Sequence, residues 1–115
     1  MAFDTKHYWD NRLADFSLES AGNLGLGHRF NRYLYRSKIR SINRIKKKYD
    51  LPFTGKTVLD IGTGTGFWID YYLKEGASYV YGIDISSVVV HKLRLKYKNT
   101  NKILVCQTDF GSNNP

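Results

Sequence analysis

The stretch Val58-Leu59-Asp60-Ile61-Gly62-Thr63-Gly64-Thr65-Gly66 decides how this chain is read. Val58, Leu59 and Ile61 are strand formers in a short apolar run, the composition of a strand covered on both faces. Three glycines follow at alternate positions. Glycine reaches φ > 0 at no steric cost and leaves no Cβ between backbone and ligand. From Phe67 to about Glu75 the pattern is helical, so the turn sits where free N–H groups and the positive end of a helix dipole gather. Strand, glycine turn and helix together form a cradle for a nucleotide-like cofactor. A glycine-rich turn is also an ordinary tight strand-to-helix connection, so the neighbouring residues must decide.

The dinucleotide fingerprint G-x-G-x-x-G seats a pyrophosphate on the helix N-terminus. Here the order is G-x-G-x-G, and Phe67 occupies the place of the third glycine. That aromatic, together with Asp60, disfavours a nicotinamide oxidoreductase. No Gly-Lys-Ser/Thr follows the turn, so the phosphate loop of nucleotide hydrolases fails as well. Asp60, two residues before Gly62, would repel phosphate and attract an ammonium or sulfonium group. Tyr79-Val80-Tyr81-Gly82-Ile83-Asp84 reads as a second strand with an acid at its carboxyl tip. Asp84 lies 22 positions after Gly62, near the ~20-residue offset at which an acid meets a ribose diol. Ser86 and Ser87 offer an N-cap for a helix to about Tyr97. Ile103-Leu104-Val105-Cys106 reads as a third strand leading into Gln107-Thr108-Asp109-Phe110. The order strand, helix, strand, helix, strand suits a right-handed parallel sheet, and ligands of such sheets bind at the carboxyl ends of the strands.

In these motifs the chain resembles a class I S-adenosylmethionine-dependent methyltransferase, over roughly residues 56 to 110. Val58 to Gly66 is similar to the family's D-x-G-x-G-x-G motif, Tyr81 to Ser86 to its acidic second motif, and Gln107 to Phe110 to its third. The resemblance implies a Rossmann-like, three-layer α/β/α fold with S-adenosyl-L-methionine as cofactor. It places Gly62, Thr63, Gly64 and Gly66 against the methionine part, with Asp60 holding its amino group directly or through water. It gives Asp84 the two ribose hydroxyls, packs Ile85 on the adenine, and sets Asp109, beside Phe110, at the exocyclic amine. A complete domain of this family has a larger sheet, of which only the first three strands are expected here. The resemblance therefore implies an amino-terminal, cofactor-binding half that is inactive alone. Its acceptor is left open as a small molecule, a protein or RNA. Half a sheet would also leave its first strand's edge unpaired, which invites self-association.

Residues 1–55 differ in composition from residues 56–115. Phe3 to Leu13 mixes aromatic and charged residues in a helix-like register, and Gly22, Gly25 and Gly27 then interrupt any helix. Tyr35, Ile39, Ile42, Ile45 and Tyr49 recur at helical steps, predicting one apolar stripe on a helix over about 30–50 that ends near Asp50, before Pro52. Many methyltransferases of this class carry a helical extension that lids the cofactor. By that resemblance Tyr8, Trp9 and Arg12 approach cofactor or substrate; the alternative is that Tyr8 and Trp9 anchor the extension to the sheet.

The formal net charge is +8 at pH 7. Arg29, Arg32, Arg36, Lys38, Arg40, Arg44 and Lys46 to Lys48 run without an acid until Asp50, so the predicted helix carries a basic outer face. That face reads either as a solvated surface or as a surface for RNA, an acidic protein or anionic lipid. A non-catalytic module that binds nucleic acid or a protein through this helix is thus the alternative to a methyltransferase. One cysteine, Cys106, rules out an internal disulfide and falls in an apolar strand, as a buried thiol would. His7, His28 and His91 show no metal-ligand spacing. With no secretory signal and no membrane-length apolar run, the expected setting is cytoplasmic.

Overall fold

The structure is a computed structural model that describes residues 2–109. Helices α1 (Thr5–Arg12), α2 (Leu18–Ala21) and α3 (Gly27–Tyr49) precede an alternation of β1 (Thr57–Ile61), α4 (Phe67–Lys74), β2 (Tyr79–Asp84), α5 (Ser87–Lys96) and β3 (Ile103–Gln107). The strands form one parallel sheet in the order β1-β2-β3. Asp60, Gly82 and Val105 lie in register across it, as do Leu59, Tyr81 and Leu104.

Both crossovers run in the same direction along the sheet, so right-handedness puts α4 and α5 on the same face. Val80 and Val105 on that face pack into a core with Ile69 of α4 and Val89, Val90 and Leu93 of α5. Gly82 opposes Ile69 and Thr63, and a Cβ there would come within 3.1 Å of Ile69. The opposite face is bare among the described residues: Leu59, Ile61, Tyr81 and Leu104 are each between 42% and 56% exposed. This corrects the expectation that β1 is covered on both faces. Its apolar composition is that of a central strand, but no helix of the described chain crosses to the second side. Cys106, on the same bare face, is half-buried rather than a core thiol.

The amino-terminal helices join this core. Leu13, just after α1, is 2% exposed and belongs to the main apolar cluster, with Trp9, Phe16 and Ala21 packed around it. The single turn α2, opened by Ser17 with a reciprocal capping box, precedes the glycines and was not visible in the periodicity. Asn31, fully buried, accepts from Asn23 N and donates to the carbonyls of Asn23 and Gly27, tying the glycine segment to α3.

Helix α3 ends at Asp50 in a left-handed conformation, before Pro52. Tyr35 is buried with its ring centroid 4.4 Å from that of Phe67. Farther along, Tyr71 Oη donates to Asn43 and Lys46 pairs with Glu75. The apolar stripe holds only in part: Ile39 and Ile42 are half-buried, whereas Ile45 and Tyr49 are 51% and 60% exposed. Asn43 and Lys46 take the contacts with α4 and the turn after it, so the polar residues displace the end of the stripe. Arg29, Arg32, Arg36, Arg40 and Arg44 are all exposed, forming the expected basic outer face. No helix among the described residues is long and apolar enough to cross a membrane.

Candidate cofactor site

The glycine turn is built by backbone conformation first. Gly62 and Gly64 have φ of +71° and +55°, the left-handed region that side chains with a Cβ seldom occupy. That path lets the N–H groups of Gly62 and Thr63 both donate to the Ile83 carbonyl, at 2.9 and 3.1 Å, fastening the turn to the end of β2. Gly66, at φ +84°, opens α4 without a side-chain cap. It is pressed against α5, and Tyr97 Oη donates to its carbonyl at 3.2 Å and to Asp70 at 2.5 Å. Burial, with the Asp70 carboxylate beside it, pushes the Tyr97 hydroxyl well above its ordinary range, so it remains a neutral donor.

Two acids flank this turn in different environments. Asp60 is 8% exposed, and its Oδ2 accepts from Thr63 Oγ at 2.7 Å. Burial raises its pKa against the opposing effect of the Thr63 hydrogen bond, and the nearby Asp84 charge adds to the rise. Asp84, at the tip of β2, is 7% exposed and accepts through both oxygens: Oδ2 from Gly64 N and Oδ1 from Ser86 N, each at 2.9 Å. An ionised carboxylate oxygen offers about two acceptor positions. Each oxygen of Asp84 therefore keeps capacity for a further donor.

Between this edge of the sheet and the amino-terminal helices lies a cleft of about 340 Å³, within the range of small-molecule sites. Ile61, Gly62, Gly64, Ile83, Asp84, Ile85, Thr108 and Asp109 line one side, and Thr5, Trp9, Leu13 and Ala21 the other. Of the residues expected at a site, Gly62, Gly64, Asp84, Ile85, Asp109 and Trp9 come together here. Asp60, Thr63 and Gly66 support the turn from beneath and are not on the cleft wall. Phe110 lies outside the described residues.

Tyr8 and Arg12 are placed elsewhere, along a neighbouring groove with Phe3, His7 and Leu24. Arg12 donates to the carbonyls of Ser20 and Gly22 and to Tyr8 Oη, and its guanidinium lies 5.1 Å from the Trp9 ring centroid. It thereby clamps α1 to α2 and braces the indole that meets the cleft. Thr5, Leu13, Ala21 and Thr108 were not anticipated. Thr5, Trp9 and Leu13 are successive i, i+4 positions, and that spacing was the signal for one shared face.

Asp10, one residue beyond Trp9, was likewise not anticipated. Its Oδ1 accepts from Ser86 Oγ at 2.5 Å and Val88 N at 3.4 Å, and its Oδ2 from Lys6 Nζ at 2.6 Å. Burial would raise this carboxyl, but the hydrogen bonds from Lys6, Ser86 and Val88 and the Lys6 charge hold it at about 2.

The chain is similar to several known proteins. The sequence pattern of the FtsJ-like methyltransferase family matches residues 40–115. A ribosomal protein arginine N-methyltransferase of Schizosaccharomyces pombe is 40% identical over 47 residues, which are 41% of this chain and 9% of that protein. The crystal structure of magnesium protoporphyrin IX methyltransferase from Synechocystis PCC 6803 with bound SAH is similar at a TM-score of 0.62 and 22% identity, covering 90% of this chain and 49% of that one. An S-adenosylmethionine dependent methyltransferase from Mesorhizobium loti is similar at a TM-score of 0.47 and 29% identity, covering 50% of this chain and 26% of that one. This chain thus spans about half the length of the Synechocystis enzyme and a smaller share of the other two. With the family pattern matched from within α3 through all three strands, and the parallel α/β sheet shared with a solved methyltransferase, the chain belongs to the FtsJ-like methyltransferase family, within the class I S-adenosylmethionine-dependent fold.

Proposed function

We propose that this chain binds S-adenosyl-L-methionine in the cleft between β1–β2 and α1, as the donor side of a methyltransferase. The observation that carries this reading is Asp84: a buried carboxylate at the tip of β2, oriented by Gly64 N and Ser86 N, with acceptor capacity left over at the cleft wall. A carboxylate so held suits a vicinal diol, because it can accept two hydroxyl donors at once. Ile85 and Trp9 add apolar walls suited to a purine, and the glycine backbone leaves room for the amino-acid end. Asp60 stands beneath the turn, where it orders Thr63 and contributes negative charge near a cationic ligand.

When bound, the cofactor supplies an electrophilic methyl on its sulfonium. The chain's own contribution is to fix the donor's orientation and hold it out of water, so that an acceptor meets the methyl in line. The acceptor is a small molecule, a protein or RNA. In this reading residues 1–55 are a helical extension over the cofactor, and residues 56–115 are the first half of the cofactor-binding sheet. Equilibrium binding of radiolabelled S-adenosylmethionine tests it: saturable binding is expected, and none at millimolar cofactor would sink the reading.

Two further outcomes are expected of the 115-residue chain by itself. The described residues supply only the donor side, so methyl transfer should be absent even where cofactor binds. Release of labelled product by the purified chain would overturn this. The face of Leu59, Tyr81 and Leu104 and the edge of β1, bare and unpaired among the described residues, should also drive self-association. Light scattering at micromolar concentration should report species larger than a monomer, and a monodisperse monomer would contradict it.

A further inference from the structure

Helix α1 has eight residues, none of them buried, and isolated helices below about 12–15 residues are marginal in water. Something outside the helix must hold it across the cleft. Leu13 anchors its carboxyl end in the core, and the main polar attachment to α5 is Asp10. Across a separation of 76 to 78 residues, its carboxylate meets the opening turn of α5: Ser86 Oγ at 2.5 Å, Val88 N at 3.4 Å, and Ser87 Oγ at 3.4 and 3.5 Å. An acid is favoured there because the first N–H groups of a helix lack intrahelical acceptors and the dipole is positive.

Ser86 is also α5's own cap, accepting from Val89 N at 3.3 Å while its backbone N–H donates to Asp84. One hydrogen-bonded chain therefore runs from Asp10 through Ser86 and Asp84 to Gly64 N, joining the helix over the cleft to the glycine turn beneath it. Lys6, one turn back on α1, pairs with Asp10 and reaches Ser87 Oγ at 3.4 Å, so the contact is ionic on one side and capping on the other.

We propose that Asp10 is a positioning residue of the cofactor site, latching α1 to the start of α5 so that Trp9 walls the cleft and Ser86 keeps the Asp84 carboxylate aimed. This deepens the cofactor-binding reading and rests on it. Without the carboxylate, α1 keeps its anchor at Leu13, the packing of Trp9 on the core, the Arg12 clamp to α2 and the single 3.4 Å contact of Lys6 with Ser87 Oγ, and the Trp9 wall becomes more mobile.

Two variants separate positioning from a merely structural role. Asp10→Ala removes every acceptor, whereas Asp10→Asn keeps one oxygen for Ser86 Oγ and Val88 N. Asp10→Ala is expected to weaken S-adenosylhomocysteine binding about tenfold in calorimetry, and Asp10→Asn to recover to within about threefold of the parent, as the loss of a charge-assisted hydrogen bond and its partial replacement predict. In the ligand-free protein, hydrogen exchange of Thr5 to Arg12 should quicken at least about tenfold in Asp10→Ala while β1, β2 and β3 keep their protection, the signature of local opening. Unchanged exchange in α1, or exchange that rises equally through the sheet, would overturn the latch. Faster exchange in α1 with unaltered affinity would overturn the positioning role and leave the cofactor site standing. If the parent protein itself bound no S-adenosylhomocysteine, the cofactor reading would fall, and the exchange data would still decide whether Asp10 holds the helix.

Discussion

Replacing Asp84 by alanine is expected to weaken S-adenosylmethionine binding by at least tenfold. Each charge-assisted hydrogen bond to the carboxylate is worth about 1.5–3 kcal/mol, and about 1.4 kcal/mol is a factor of ten. Loss of one such bond already reaches the threshold, and the cofactor is expected to make two. The substitution also strips acceptors from Gly64 N and Ser86 N, which Asp84 now holds at 2.9 Å each. The turn should therefore loosen as well as lose its ligand. Asp84→Asn should not rescue, because its amide NH2 would face one of those two N–H donors. Calorimetry with S-adenosylhomocysteine, beside far-ultraviolet dichroism to confirm the fold, reads the effect. Affinity within twofold of the parent would remove Asp84 from the site.

A second large effect is expected at Gly66, on stability rather than binding. Its φ of +84° costs a residue with a Cβ about 1–2 kcal/mol. A Cβ there would also stand 2.8 Å from Leu93 Cδ2 and 2.9 Å from Tyr97 Oη, and overpacking of that kind costs about 1–3 kcal/mol. Gly66→Ala should thus lose about 2–5 kcal/mol, a large part of the ~5–15 kcal/mol that holds a domain together. Gly62→Ala is the control. Its φ is also positive, at +71°, but a Cβ would meet nothing within 4 Å, so only the strain of about 1–2 kcal/mol applies. Urea denaturation of the two variants should separate them by a clear shift in midpoint. Equal midpoints would show that Gly66 is a conformational glycine like Gly62, with no packing role.

The three strands, the two helices between them and the acids at the strand ends were legible because each depends on local chemistry. A run such as Val58 to Ile61, rich in strand formers and bounded by a glycine turn, favours a strand, glycines at alternate positions permit few other turns, and Ser86 caps the helix it precedes. The terminus of α3 at Asp50 was legible for the same reason, with Pro52 close behind. The expectations that failed concern which side of an element is covered. Leu59 and Tyr81 have the apolar character of a buried face, yet α4 and α5 both lie on the other side. Ile45 and Tyr49 continue the period of Tyr35, yet Asn43 and Lys46 make the contacts. Hydropathy and period describe what an element could bury; its neighbours decide what it does bury.

The site divides along the same line. From the sequence alone came the turn, with Gly62 and Gly64, and the acids Asp60, Asp84 and Asp109 at the ends of the strands, since a parallel sheet brings its carboxyl ends to one edge. Only the tertiary structure decided that Asp84 lines the cleft while Asp60 is drawn beneath the turn by Thr63. It alone separated Trp9, which meets the cleft, from Tyr8 and Arg12, which do not, and it alone found Asp10. Those distinctions rest on contacts between residues as many as 78 positions apart, which no local pattern encodes because they exist only once the amino-terminal helices have docked on the sheet.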